Sequence, residues 1–233
     1  MSSTPTPLRT SSCRPNLPGV EEHPLAEMSH AAAHGNHPSP DGFVEVMPSP
    51  GGPADAIVDF TAHLVVAADV PADDVLNQLP VGDLSGWTHP SFQLWLAQRL
   101  DSRPGSRDLV MAAPPADHAD LELTPRDDLS GHDRVRRAAR YRTDLKVFTD
   151  PDELGVLVIG RGLVGRMECA FEVEPSARHR GLGRRLALAA RTFVPDDGAI
   201  FAQVAPGNVA SVRALLSAGF RPIGGEVLFP RHK

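Results

Sequence analysis

The chain is poor in several residue types, and each shortage excludes something. Only two cysteines, Cys13 and Cys169, occur in 233 residues. Cys13 lies in a proline-rich stretch and Cys169 in a strand-like run. A disulfide framework is therefore not expected, which fits a reducing compartment and a cytoplasmic location. No apolar run approaches the roughly 20 residues of a membrane span. The opening stretch, MSSTPTPLRTSSCRPNLPG, lacks the apolar segment of a secretory signal. Positive charge is also short: Lys and Arg number 23 against 29 Asp and Glu, for a formal net charge of −6. A nucleic-acid partner is not expected from that balance or from the scarcity of aromatics, at 5% with Tyr141 the single tyrosine.

What is present changes along the chain. Residues 1–55 read as a disordered tail rich in Pro, Ser and His, with 10 of the 23 prolines before position 54. Such a stretch buries too little apolar surface to offset the entropy of ordering it. Its histidines (His23, His30, His34, His37) lack paired metal-ligand spacing, so no metal site is expected. Residues 56–142 read as a first folded part. It holds a β-branched strand within 57–67, a short helix at PADDVLNQLP, and a helix over Ser91–Leu100 capped by Ser91. A strand at DLVMAAP, a loop over 114–130 and a basic helix over 132–142 follow. Residues 143–233 read as a second part. Its order is β-β-β-α-β-α-β, implying a mixed sheet with helices packed on it.

One short stretch, EVEPSARHRGLGRRLALAAR, places Gly181 and Gly183 between a strand and a helix. Arg178, Arg180, Arg184, Arg185 and Arg191 crowd it, and no acid occurs between Glu174 and Asp196. Glycine lets the backbone turn tightly and approach a ligand closely. The free amides of a helix start, its dipole and nearby guanidiniums suit a phosphate or pyrophosphate. A plain glycine-eased turn into a surface helix is the competing reading. A dinucleotide fingerprint fits less well, because the third glycine and the downstream acid are missing; a P-loop lacks its Gly-Lys-Ser/Thr.

A second stretch lies thirty residues beyond Arg178. NVASVRALLSAGF has the pattern Asn208, Ser211, then Gly219-Phe220. With R-x-x-G-x-G at 178–183, it resembles the two signature segments of the GCN5-related N-acetyltransferase (GNAT) superfamily. The likeness covers about 143–229 well and 56–142 loosely. It implies an α/β (α+β) fold: a GNAT-like mixed, mostly antiparallel sheet flanked by helices. It also implies acetyl-CoA as cofactor, bound by Arg178, His179, Arg180, Gly181, Leu182, Gly183 and Arg184 at its pyrophosphate. The main chain near Phe171 and Val173, with Asn208 and Ser211, would hold the pantetheine arm. Asn208 also reads as a plain helix N-cap, and the two roles are compatible.

The resemblance thins at the chemistry. The family's frequent tyrosine acid falls at Leu215 and its common base at Met167. Glu168, Glu172 and Ser211 stand as catalytic candidates, the two acids also as solvated strand-face carboxylates. Cys169 reads as a small core residue. His63, His89, His118 and His132 could supply chemistry from the first part, and Trp87 could line the acceptor pocket. The expected activity is N-acyl transfer to a primary amine of a small molecule or peptide. The alternative is a non-catalytic acyl-CoA-binding or regulatory module. The expected partner is the amine substrate, with neither nucleic acid nor membrane and with a homodimer allowed.

Overall fold

A computed structural model describes residues 23–79 and 82–231. The portion of the expected tail before residue 23, with Cys13, lies outside the described residues. In chain order the elements are α1 (Pro24–Ala33), β1 (Val44–Met47), β2 (Ala54–Asp59), β3 (Leu64–Ala67), α2 (Ala72–Leu76), α3 (Pro90–Arg99), β4 (Arg107–Ala113) and β5 (Thr124–Pro125). Then come α4 (Asp133–Ala138), β6 (Thr143–Thr149), β7 (Gly155–Arg161), β8 (Met167–Val173), α5 (Leu182–Ala190), β9 (Ile200–Val204), α6 (Val209–Ser217) and β10 (Arg221–Pro230). The order expected for 143–229 is the order observed.

Among the described residues, ten strands join one sheet, in the order β1-β3-β2-β10-β4-β9-β8-β7-β6-β5. Every pairing is antiparallel except β1 with β3 and β8 with β9. Strand alternation divides the side chains between two faces. On one face α5 and α6 cover β7, β8, β9 and β4 through Leu157, Leu186, Ile200, Leu215 and Phe220. On the same face α2 and α3 cover β2, β3 and β10 through Val75, Phe92, Leu96, Val227 and Phe229. The opposite face receives α1 through Leu25 and Ala32. At its far end it receives α4, through Val135 and Ala138 against Val156 and Val158.

Several expectations are corrected. The 1–55 stretch is not wholly irregular, since its described part forms α1 and β1. Pro24 starts α1 with its φ already set, and His23 accepts the Leu25 amide at 3.2 Å. Burial of Leu25 at 0% exposure then holds a helix that local composition does not favour. The strand placed within 57–67 is a hairpin, β2 and β3, broken by Thr61 and Ala62 at positive φ. α3 begins at Pro90 with His89 extended before it, so Ser91 lies inside the helix and does not cap it. The basic helix over 132–142 stops at Ala138, because the chain must turn into β6 at Thr143. The loop over 114–130 contains the two-residue β5. Among the described residues, no helix is long and apolar enough to cross a membrane.

Candidate active site

β8 and β9 run parallel but pair only at Met167–Ile200 and Glu168–Phe201. Beyond those two positions the strands part, while β8 stays paired to β7 along its whole length. The parting leaves one edge of β8, from Cys169 to Val173, open toward β9. At the mouth of this wedge the chain leaves β8 through a 3-10 turn (Pro175–Ala177) and bends into α5.

The bend is built from unusual backbone. His179 sits at φ 63° and Gly181 at φ 82°. A Cβ on Gly181 would meet nothing within 4 Å, so the requirement there is conformational. Gly183 is different: a Cβ there would lie 3.4 Å from the Phe171 ring, and Phe171 and Val173 pack against that spot. No side chain caps α5. The amides of Leu182, Gly183 and Arg184 therefore point outward without intrahelical acceptors, at the positive end of the helix dipole. Arg180 is exposed beside them.

Most of the arginines have structural work. Arg178 donates from Nε to the Val173 carbonyl at 3.1 Å, tying the turn to the end of β8. Arg184 donates to the Ser217 carbonyl at 3.0 Å and Arg185 to Asp120 at 2.9 Å. Arg191 ties the Pro114, Pro115 and Ala218 carbonyls together. Across the wedge, Asn208 caps α6 by accepting the Ser211 amide at 3.2 Å. Ser211 contributes its amide there, and its side chain is half-buried.

The catalytic candidates occupy different surroundings. Glu168 is 1% exposed and not solvated. Arg166 donates to its Oε1 at 2.8 Å and Arg142 to its Oε2 at 2.7 Å. Burial pushes its carboxyl up, yet the two guanidiniums hold it below the usual range. A carboxylate with both oxygens held and low basicity is a poor proton acceptor. Gly162 makes the room, because a Cβ there would overlap the Glu168 carboxyl. Glu172 pairs with Arg134 of α4 at 3.3 Å. Leu215 is a core residue at 2% exposure. Cys169 is buried, and burial pushes its thiol up to about 12.

Residues that the motifs do not mark complete the site. Glu168, Gln203, Asp108 and Glu226 form a polar row across β8, β9, β4 and β10, all on the face that carries α1 and α4. Asp108 and Glu226 are direct cross-strand partners. Arg166 bridges the row by donating to Glu226 Oε2 at 2.7 Å. Arg142 also bonds Gln203. A cleft of about 130 Å³ reaches from Ala170 and Asn208 at the wedge to Asp108 and Glu226, with Tyr141 and Arg137 on its wall. Burial pushes Asp108 up against the pull of Ser106, Arg137 and Arg142. Burial pushes Glu226 up as well, aided by Glu168 and Asp108 and opposed by Arg166. The available signal was an acid at an inward strand position: Asp108 alternates with buried Val110 and Ala112.

His63 bonds Asp41 and Glu45, His132 caps α4, and His118 is exposed; neither they nor His89 line the cleft. Trp87 is buried in the core on the opposite face and does not line it either. Among the described residues, no group of three or more His, Cys, Asp or Glu is placed to hold a metal ion.

Residues 145–220 match the family model described as the acetyltransferase (GNAT) family. No curated protein matches the chain significantly. Among solved structures, a GNAT-family acetyltransferase from Colwellia psychrerythraea is 13% identical, with a TM-score of 0.38, over 61% of this chain and 63% of that one. A GCN5-related N-acetyltransferase from Kribbella flavida is 17% identical, with a TM-score of 0.40, over 62% and 65%. One from Sphaerobacter thermophilus is 18% identical, with a TM-score of 0.35, over 60% and 55%. The chain thus spans less than two thirds of each of these structures.

Proposed function

We propose that this chain, whose residues 145–220 form a GNAT acetyltransferase domain, moves an acetyl or short acyl group from coenzyme A to a primary amine. The observation that carries the proposal is the wedge between β8 and β9, ending in a turn of unpartnered amides. Gly181 in the left-handed region and the uncapped start of α5 fit a diphosphate, which accepts hydrogen bonds and carries negative charge. The open edge of β8 near Phe171 and Val173 fits an amide-bearing arm that pairs like an added strand. Asn208, across the wedge, keeps its amide group as a further donor toward the same arm.

When bound, the thioester supplies an electrophilic acyl carbon. The protein's own residues must then orient the amine, remove its proton and return one to the leaving sulfur. Leu215 is sealed in the core and can do none of this. We assign the return of that proton to Tyr141, whose side chain lines the cleft. In solution we take the protein to be cytoplasmic, with the amine substrate as its partner.

The test is coenzyme A affinity. Gly181→Val forces a β-branched residue to positive φ, and Gly183→Val crowds Phe171. Each should weaken coenzyme A by about tenfold or more, near 1.4 kcal/mol, in a protein that still melts cooperatively. Unchanged affinity in both folded variants sinks the proposal. The buried Leu215 favours one second reading, an acyl-CoA-binding module without turnover. Coenzyme A binding with no thiol release over a broad amine panel would select it.

A further inference from the structure

The polar row contains more negative charge than its buried partners neutralise. Glu168, Asp108 and Glu226 face two guanidiniums, Arg142 and Arg166. Arg134 is committed to Glu172, and Arg137 is exposed at the rim. Two carboxylate oxygens, Asp108 Oδ1 and Glu226 Oε1, are buried with no hydrogen-bond partner. Leaving such oxygens unpaired is costly, on the order of 1–3 kcal/mol each, unless a ligand supplies donors. As cross-strand partners their Cβ atoms stand about 5 Å apart, close enough for one donor group to reach both. Both line the cleft that Ala170 and Asn208 of the β8–β9 wedge also line.

We propose that Asp108 and Glu226 are the receptor for the ammonium group of the primary-amine acceptor. The proposal rests on the acyltransferase reading above and deepens it. An ammonium has three N–H donors, enough for Asp108 Oδ1, Glu226 Oε1 and a third acceptor. A divalent metal ion would need more oxygen ligands than this pair offers.

The same pair completes the proton balance. The ammonium loses one N–H proton to a carboxylate of the pair, and the freed nitrogen lone pair forms the new C–N bond. As the C–S bond breaks, the departing sulfur takes a proton from the Tyr141 hydroxyl on the cleft wall, and the new amide nitrogen gives up its second N–H proton to restore that hydroxyl. The carboxylate proton then passes to solvent. Burial pushes both carboxyls up, so proton uptake from an ammonium costs less here than at a solvated carboxylate.

Calorimetry on the full chain loaded with coenzyme A tests the idea, with n-pentylamine as probe and n-pentanol as its uncharged match. The amine should bind about tenfold or more tightly than the alcohol. Asp108→Asn and Glu226→Gln should each cost about tenfold or more in amine affinity while coenzyme A affinity stays within about twofold. Amine affinity should also fall on acidification, beginning above the ordinary carboxylate range, as Asp108 and Glu226 protonate among Arg166, Glu168, Arg142, Arg137, Ser106 and Tyr141. Equal binding of amine and alcohol, undiminished amine affinity in the variants, or no amine binding to the loaded wild type overturns the proposal. In each of those cases coenzyme A binding persists, so the acyltransferase reading survives. Loss of coenzyme A binding by the wild type would instead remove both. Should Glu226→Gln fail to fold, Asp108→Asn at its half-buried site carries the test alone.

Discussion

The two faces of the sheet differ in what they bury beside their apolar cores. Under α2, α3, α5 and α6 the face is closed by apolar side chains, with Leu186, Leu96 and Phe229 at 0% exposure. Between α1 and α4 the other face carries Glu168, Gln203, Asp108 and Glu226 in a row. The first face buries surface that water rejects, and this drives the chain to fold. The second buries apolar surface under α1 and α4 too, but between them it also buries charge, which folding alone does not reward. The difference separates the part of the molecule that makes a fold from the part that makes a site.

Substitutions sharpen that contrast in order of size. Arg166 is 5% exposed at its side chain and serves Glu168 and Glu226 together. Arg166→Met should cost about 3–5 kcal/mol in denaturant unfolding, because it strands two buried carboxylates. Adding Glu226→Gln should recover part of that loss, since it removes one stranded charge. On the apolar face, Phe220→Ala should cost about 3–4 kcal/mol through lost burial and a cavity. No second truncation beside it should restore stability. If the double variant on the charged face is worse than Arg166→Met alone, the contrast fails. Least affected is the outer edge of α3, where Arg99 pairs with Asp74 at 2.9 Å and lies over Trp95. Arg99→Ala there should cost under about 1 kcal/mol by the same measurement, since both partners are substantially exposed.

Legibility in the sequence follows the same division. The apolar face announces itself through period and punctuation: Gly181 just before α5 with Gly183 in its first turn, Asn208 before α6, Gly219 after it. These are local signals, and their elements fall where they point. The charged face is assembled from β4, β8, β9, β10 and the chain after α4, distant in sequence. No local pattern pairs Asp108 with Glu226, which are brought together only by the register of β10 on β4. Glu168 stands one residue from the expected base position, and its burial depends on Arg142, Arg166 and the space at Gly162. Tyr141 lies outside both motifs and reaches the cleft wall only because α4 ends early. α1 is invisible in local composition for a related reason. Its stability comes from contact with β4 and β10, while its own composition reads as tail.

The place of β10 has a consequence for how the molecule is made. It is the last element of the sheet to leave the ribosome, yet it sits between β2 and β4. Until it arrives, the nascent chain holds two half-sheets, each with a raw border of unsatisfied amides and carbonyls. Synthesis that stalls before Arg221 would release a chain with both borders bare, inviting chaperone capture or clumping with its own kind.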